Sequence, residues 1–130
     1  MKLLRFRERT SKEARWGIVT DEENVHVLEG DPLGQYELGN EVGGLSQISL
    51  LSPCEPRQVL AAAKNYFGVT DWEENMEEPL LFTKSPQSVC SATDEIRSYF
   101  SDAMAWGEPE LAVVIGRRTF QVNPDEAKVN

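Results

Sequence analysis

The alternation of apolar and polar residues predicts a chain built mostly from short strands. In residues 4–7, leucine and phenylalanine alternate with two arginines, the period-two pattern of a strand with one buried face. A polar turn at 21–24 separates two further apolar runs and predicts a hairpin or meander. The glycine-rich stretch 33–45 predicts a loop. The strands predicted for this part of the chain are 4–7, 16–19, 25–28 and 48–51.

The second half of the chain has a different pattern. Residues 59–63 form a continuous run of small apolar residues, which predicts a strand buried on both faces. Thr70 and Glu73 fit a capping box and predict a short helix that ends before Pro79. Asn123 precedes a proline and two acidic residues, the signature of a helix start. Further strands are predicted at 80–83, 95–100 and 111–115, the last with the strongest signal.

Two closely spaced prolines mark the best candidate for a domain boundary. Pro53 and Pro56 bracket a Ser-Pro-Cys-Glu-Pro stretch. We therefore expect a small N-terminal β domain over 1–52, a linker over 53–56 and a second domain over 57–130. The strands outnumber the helices, so the predicted fold class is mainly β or α+β.

Composition and charge exclude several classes of protein. The chain has 130 residues, with 13 Lys and Arg against 22 Asp and Glu, for a net charge of −9. Nucleic-acid binding needs clustered basic residues, and a membrane helix needs about 18 consecutive apolar residues, so we expect neither partner. With no signal peptide the expected compartment is the cytoplasm. Cys54 and Cys90 are then expected to be reduced thiols, and a single histidine, His26, expected on a strand surface, makes a zinc site improbable.

The chemically interesting feature is the segment Glu108-Pro109-Glu110. On a strand, residues two apart face the same side with Cα atoms about 6.5–7 Å apart, so both carboxylates can converge on one hard cation such as Mg²⁺ or Mn²⁺. The alternative is a pair of solvated surface acids. Spacing alone does not separate these two interpretations, because Glu-x-Glu occurs by chance in an acidic chain.

Three segments, in this order, resemble the fumarylacetoacetate hydrolase family: 65–66, 78–86 and 106–118. The last contains Glu-Pro-Glu-Leu-Ala-Val-Val-Ile-Gly, which is similar to a signature of that family over a dozen residues. The resemblance covers nearly the whole chain. It implies a mixed, strongly curved β-roll for 57–130, of which the chain holds the N-terminal part, and a homodimer for a full-length member.

The resemblance also implies a function. Members act on enol, diketo and 2-oxo acids by hydrolysis, isomerisation, decarboxylation or dehydration, and use Mg²⁺ or Mn²⁺ to stabilise an enolate. Position by position, Glu108 and Glu110 resemble the first two metal ligands. Lys84 resembles a lysine that contacts the substrate carboxylate or enolate; otherwise it is an exposed lysine at the end of a strand. Asn65 and Tyr66 resemble substrate-binding residues.

Two departures from the family pattern keep alternatives open. The third metal ligand of the family is an aspartate beyond the helix that begins at Asn123, and the chain ends before it, so the resemblance implies a truncated member with weak or absent metal binding. Val69 and Trp72 stand where many hydrolases of the family carry a histidine and a glutamate. The alternatives are a dehydratase or lyase acting on a 2-keto-3-deoxy sugar acid, and a non-catalytic remnant or interaction module.

Overall fold

The computed structural model describes residues 2–20, 23–65, 78–99 and 106–127 as two antiparallel β-sheets, two short 3-10 turns and one helical turn. This confirms a mainly β fold. No helix among these residues is long and apolar enough to cross a membrane. The elements are β1 Lys2–Glu8, β2 Arg15–Val19, β3 Asn24–Gly30, β4 Tyr36–Gly44, a 3-10 turn Leu45–Gln47, β5 Ile48–Leu50, β6 Val59–Ala63, β7 Leu80–Lys84, a 3-10 turn Pro86–Ser88 and α1 Pro124–Ala127.

The larger sheet is rolled so that its two edges approach each other. Its strand order is β4-β3-β2-β1-β5, which places β4 and β5 at opposite edges. The edges of a flat five-stranded sheet would lie about 19 Å apart, whereas the three residues Leu45–Gln47 span only about 6 Å as a 3-10 turn. Gly43 makes the turn possible, because its φ of +96° suits glycine and a Cβ there would overlap the side chain of Gln47.

The concave side of this sheet holds the core. Phe6 and Val25 are fully buried, Val27 and Ile48 are nearly so, and Leu4, Val19, Val42 and Leu50 pack around them. Gly17 leaves room for the Phe6 ring: a Cβ at this position would lie 2.8 Å from Cε1 of Phe6 and 2.9 Å from the carbonyl oxygen of His26. The alternation predicted for residues 4–7 is confirmed, because Phe6 faces the core and Arg7 faces solvent.

Two polar contacts attach later segments to this sheet. The Arg5 side chain, 12% exposed, reaches the carbonyl and hydroxyl oxygens of Ser52 at 3.5 Å and pairs with Glu55. The Ser91 hydroxyl donates to the carbonyl of Leu50 at 2.9 Å, at the open edge of β5. Arg5 therefore fixes the course of residues 52–55, and Ser91 occupies an edge carbonyl that would otherwise lack a partner strand. The domain division at 53–56 stays a prediction.

Replacing Arg5 by alanine is expected to lower the free energy of unfolding by about 1–2 kcal/mol, because contacts from a charged and largely buried side chain are lost while Glu55 remains in solvent. Urea unfolding measures the change. The matched control is Arg9→Ala, which removes one hydrogen bond of 2.8 Å from an exposed arginine to Ser46 and is expected to cost at most about 0.5 kcal/mol. Equal effects of the two substitutions would show that the Arg5 contacts add nothing to stability.

The smaller sheet is a hairpin of β6 and β7, with Val59 opposite Lys84 and Ala63 opposite Leu80. Both strands were predicted and are confirmed. Burial of 59–63 on both faces is wrong: Leu60 is 54% exposed and β7 is exposed throughout. A strand is buried on both faces only when other elements pack against both faces of its sheet. Among the described residues, β6 and β7 form a sheet of two strands that pair only with each other.

The predicted loop at 33–45 is wrong in most of its length, because residues 36–44 form β4. The pairing of β4 with β3 shifts register between Val25 and His26 and again between His26 and Leu28. These irregularities interrupt the alternation along β4: Leu38, opposite Leu28, is 57% exposed, whereas Val42 packs against the core. This loss of alternation, together with the glycines, hides the strand from a pattern-based prediction.

Two other predicted strands are absent from the described residues. Residues 95–99 and 111–115 form no ladder, and the side chains from Leu111 to Ile115 are mostly solvent-exposed. The propensity of β-branched residues for strands depends on how they pack against neighbouring strands, so propensity alone does not make a segment a strand. Residue 100, the last of the predicted strand 95–100, lies outside the described residues. So does the helix predicted between Thr70 and Pro79, except for Glu78.

The helix start at Asn123 is confirmed. The Asn123 side-chain oxygen accepts hydrogen bonds from the backbone N–H groups of Asp125 at 3.0 Å and Glu126 at 2.9 Å. In return, the Glu126 carboxylate accepts from the Asn123 N–H at 3.0 Å, which completes a reciprocal cap. The cap satisfies N–H groups that the first helical turn leaves without partners.

Candidate functional site

Glu108 and Glu110 lie in an exposed, irregular segment. Both side chains face solvent, and the strand predicted at 111–115, directly after them, is not present in the described residues. Pro109 between them fixes its own φ and disfavours the helical region for Glu108, so the segment is biased towards extended backbone. The two carboxylates are therefore accessible to a ligand from solvent.

The donor chemistry of this pair suits a hard divalent cation. Carboxylate oxygens are preferred ligands of Mg²⁺ and Mn²⁺, and Mg²⁺ usually keeps several waters and takes one or two protein carboxylates. Within the described parts of the chain, no cluster of three or more His, Cys, Asp or Glu side chains is arranged to hold a metal ion. Glu108 and Glu110 therefore offer the kind of oxygen donors that such an ion takes, while the described residues contain no assembled metal site.

Lys84 is the last residue of β7 and is exposed. Its Nζ lies 5.7 Å from the centroid of the Phe82 ring, within the distance of a cation–π contact. Phe82 and Lys84 are two residues apart on one strand, so both project from the same face. The contact holds the ammonium group over an apolar surface while its remaining sides stay in solvent.

The strand register separates Asn65 from Lys84. Lys84 pairs with Val59, whereas Asn65 follows Ala63 at the other end of the hairpin, beyond Lys64, whose φ is +55°. The four residue steps from Val59 to Ala63 span about 14 Å, so Lys84 and Asn65 belong to opposite ends of the paired strands. Tyr66, the neighbour of Asn65, lies outside the described residues.

His26 and the cysteines lie apart from these residues. His26 is on β3, and its Nε2 is 3.7 Å from a carboxylate oxygen of Glu41 on β4. Its predicted position on a strand surface is confirmed. Cys54 and Cys90 are free thiols, as predicted.

A depression lies on the larger sheet, beside the turn between β3 and β4. It has a volume of about 580 Å³, and its lining residues are Glu29, Gly34, Gln35, Tyr36 and Glu37. Two carboxylates at its wall disfavour an anionic ligand. This depression therefore does not suit the oxo acids that the sequence pattern implies.

Sequence reasoning missed Phe82 as a partner of Lys84. The signal was present in the Phe-Thr-Lys triplet, because residues two apart on a strand share a face. Arg5 was also missed, since its partners Ser52 and Glu55 lie about fifty residues away in the chain and no local pattern connects them.

Comparison with protein families gives two matches. Residues 56–129 match the family model described as fumarylacetoacetate (FAA) hydrolase C-terminal. Residues 1–53 match the model described as Rv2993c-like, N-terminal. No significant match was found among curated proteins or among solved structures.

Proposed function

The chain belongs to the fumarylacetoacetate hydrolase family, a family of metal-dependent hydrolases and isomerases, and on this premise we propose that it binds a 2-oxo, enol or diketo acid at a divalent metal. The observation that carries the proposal is the Glu108-Pro109-Glu110 segment inside the matched region, with both carboxylates exposed. Small-molecule substrates are usual in this family. A homodimer is the assembly that the resemblance supports.

Glu108 and Glu110 are proposed as two ligands of Mg²⁺ or Mn²⁺. Their role is to bring two negative charges to one point and so offset the cost of partly dehydrating the ion. The bound ion supplies Lewis-acid stabilisation of negative charge on a substrate oxygen. Exposure of the pair leaves room for substrate oxygens beside the carboxylates.

Lys84 is proposed as the residue that contacts the substrate carboxylate or the developing enolate. Its ammonium group has three donors, and the Phe82 ring occupies only one side of it. An N–H donor aimed at an oxygen that gains negative charge stabilises the reaction's charged intermediate more than its starting state. Asn65 is proposed as a binding residue for a separate part of the substrate, because the register places it at the other end of the hairpin.

The test is calorimetric titration of the chain with Mn²⁺, with and without oxalate, which has the two adjacent planar oxygens of an enolised 2-oxo acid. We expect Mn²⁺ to bind, and its affinity to increase when oxalate is present. Lys84→Met is expected to keep binding of Mn²⁺ alone and to lose most of the gain from oxalate.

The matched control is Lys12→Met, which changes the net charge by the same amount from an exposed position between β1 and β2. It should leave both titrations unchanged. Absence of Mn²⁺ binding in both titrations would falsify the proposed function. An equal effect of the two lysine substitutions would show that Lys84 does not contact the substrate.

A further inference from the structure

One face of the β6–β7 hairpin carries an ordered row of side chains. Along β7, every second residue projects from this face, so an aliphatic, an aromatic and a cationic side chain follow each other at intervals of about 7 Å. These residues are Leu80, Phe82 and Lys84, which lie opposite Ala63, Ala61 and Val59.

The opposing strand leaves this row uncovered. Ala61 lies opposite Phe82 and is 8% exposed, while the Phe82 ring remains 43% exposed. Leu80 is 51% exposed opposite the half-buried Ala63. Alanine cannot reach across the outer surface of a ring or of a leucine, so the apolar surface of β7 stays open to a ligand.

Positive charge lies at one end of the row. Lys84 holds its ammonium over the Phe82 ring, and Arg57, also exposed, precedes Val59, the partner of Lys84, by two residues. The nearest preceding acid, Glu55, pairs with Arg5. The cationic end is thus complementary to a carboxylate, and the apolar part that follows is complementary to a flat apolar group.

We propose that Phe82 and Leu80 form the specificity surface for the substrate's apolar substituent, so that the site selects 2-oxo acids that carry an aryl group. This inference rests on the proposed function, because it takes Lys84 as the contact for the carboxylate. The carboxylate lies at Lys84, the aryl group stacks on the exposed side of the Phe82 ring, and the edge of the aryl group meets Leu80.

The opposite face of the same hairpin does not offer this combination. Its β7 residues are Leu81 and Thr83, and its β6 residues are Leu60 and Ala62. Leu81 is 53% exposed, close to the 51% of Leu80, but none of the four paired residues on that face is aromatic or cationic. The two faces therefore have similar apolar exposure and differ in charge and aromaticity, which supplies a matched internal control.

The experiment compares the affinities of phenylpyruvate and pyruvate by calorimetry in buffer containing Mn²⁺. We expect phenylpyruvate to bind the unmodified chain at least tenfold more tightly, which equals about 1.4 kcal/mol. Phe82→Leu is expected to remove most of that preference; because it also removes the ring beneath the Lys84 ammonium, the preference is measured on each variant as the ratio of its affinities for the two acids. Leu80→Ala is expected to reduce the preference about threefold, and Leu81→Ala to leave it unchanged; all three positions are solvent-exposed, which favours retained folding.

The outcomes separate the inference from the function on which it rests. If pyruvate and phenylpyruvate bind with equal affinity, or if Leu81→Ala acts as strongly as Leu80→Ala, the specificity surface is wrong while the proposed function stands. If neither these acids nor oxalate bind, the proposed function fails and the inference fails with it. Far-UV circular dichroism of each variant confirms that a lost preference does not come from unfolding.

Discussion

Replacing Glu108 or Glu110 by glutamine is expected to lower Mn²⁺ affinity by about 10–100-fold, and replacing both is expected to abolish measurable binding. Each substitution keeps the shape of the side chain and removes one negative charge from the proposed site. A unit charge about 4 Å from another contributes about 1 kcal/mol in water and about 4 kcal/mol at the dielectric constant typical of a protein surface. A loss of 1.4–2.8 kcal/mol, between these limits, corresponds to the expected range of about 10–100-fold.

The control for this prediction is Glu37→Gln. Glu37 is an exposed residue of β4, and its neutralisation changes the net charge of −9 by the same amount as either test substitution. Because salt screens exposed charges beyond about 10 Å at 0.1 M ionic strength, it should leave Mn²⁺ affinity unchanged. If all three substitutions weaken Mn²⁺ binding equally, the ion is attracted by the overall charge and the two glutamates are not its ligands.

Replacing Phe6 by alanine is expected to lower the free energy of unfolding by about 3–5 kcal/mol, a large share of the 5–15 kcal/mol typical of a folded protein. Phe6 is fully buried at the centre of the rolled sheet, so its removal leaves a cavity that the surrounding β-strands cannot fill. Urea unfolding measures the effect as a lower midpoint at an unchanged slope. Leu3→Ala, from a 37% exposed position on the outer side of the same strand, is expected to cost less than about 1 kcal/mol.

Gly17 offers an independent check of the same contact. Gly17→Ala is expected to cost about 1–3 kcal/mol, because the added Cβ would lie 2.8 Å from the Phe6 ring. Combined with Phe6→Leu, the same substitution should cost less than it does alone, since leucine lacks the ring atom that clashes. Strictly additive effects of the two changes would mean that the ring and Gly17 are not coupled.

The sequence predicts strands well where the alternation of side chains is regular, and misses them where bulges interrupt it. Residues 4–7 have a buried phenylalanine followed by an exposed arginine, and their strand was predicted correctly. In β4, two register shifts interrupt the alternation, so that Leu38 is exposed while Val42 packs against the core, and the strand was missed. The run 111–115 shows the converse error, because it has strong strand propensity but forms no strand among the described residues.

The candidate site shows a similar division between local and long-range information. The spacing of Glu108 and Glu110 is visible in the sequence, and so is the helix cap at Asn123, because each depends on residues at most three apart. The separation of Asn65 from Lys84 follows only from strand register, which no local pattern specifies. The contact between Lys84 and Phe82 is an intermediate case. It can be predicted from the sequence once the segment is known to be a strand, because residues two apart on a strand share a face.

The position of β1 in the larger sheet has a consequence for the order in which the chain folds. β1 is first in the chain but lies between β2 and β5, and its pairing with β5 brings Phe6 opposite Leu50. The hairpins of β1 to β4 join neighbours in sequence and can form early, whereas closure of a loop of about forty residues must precede the last ladder. On the ribosome, β1 therefore keeps one edge without a partner until β5 has emerged. Its one lysine and two arginines oppose pairing with other nascent chains in the meantime.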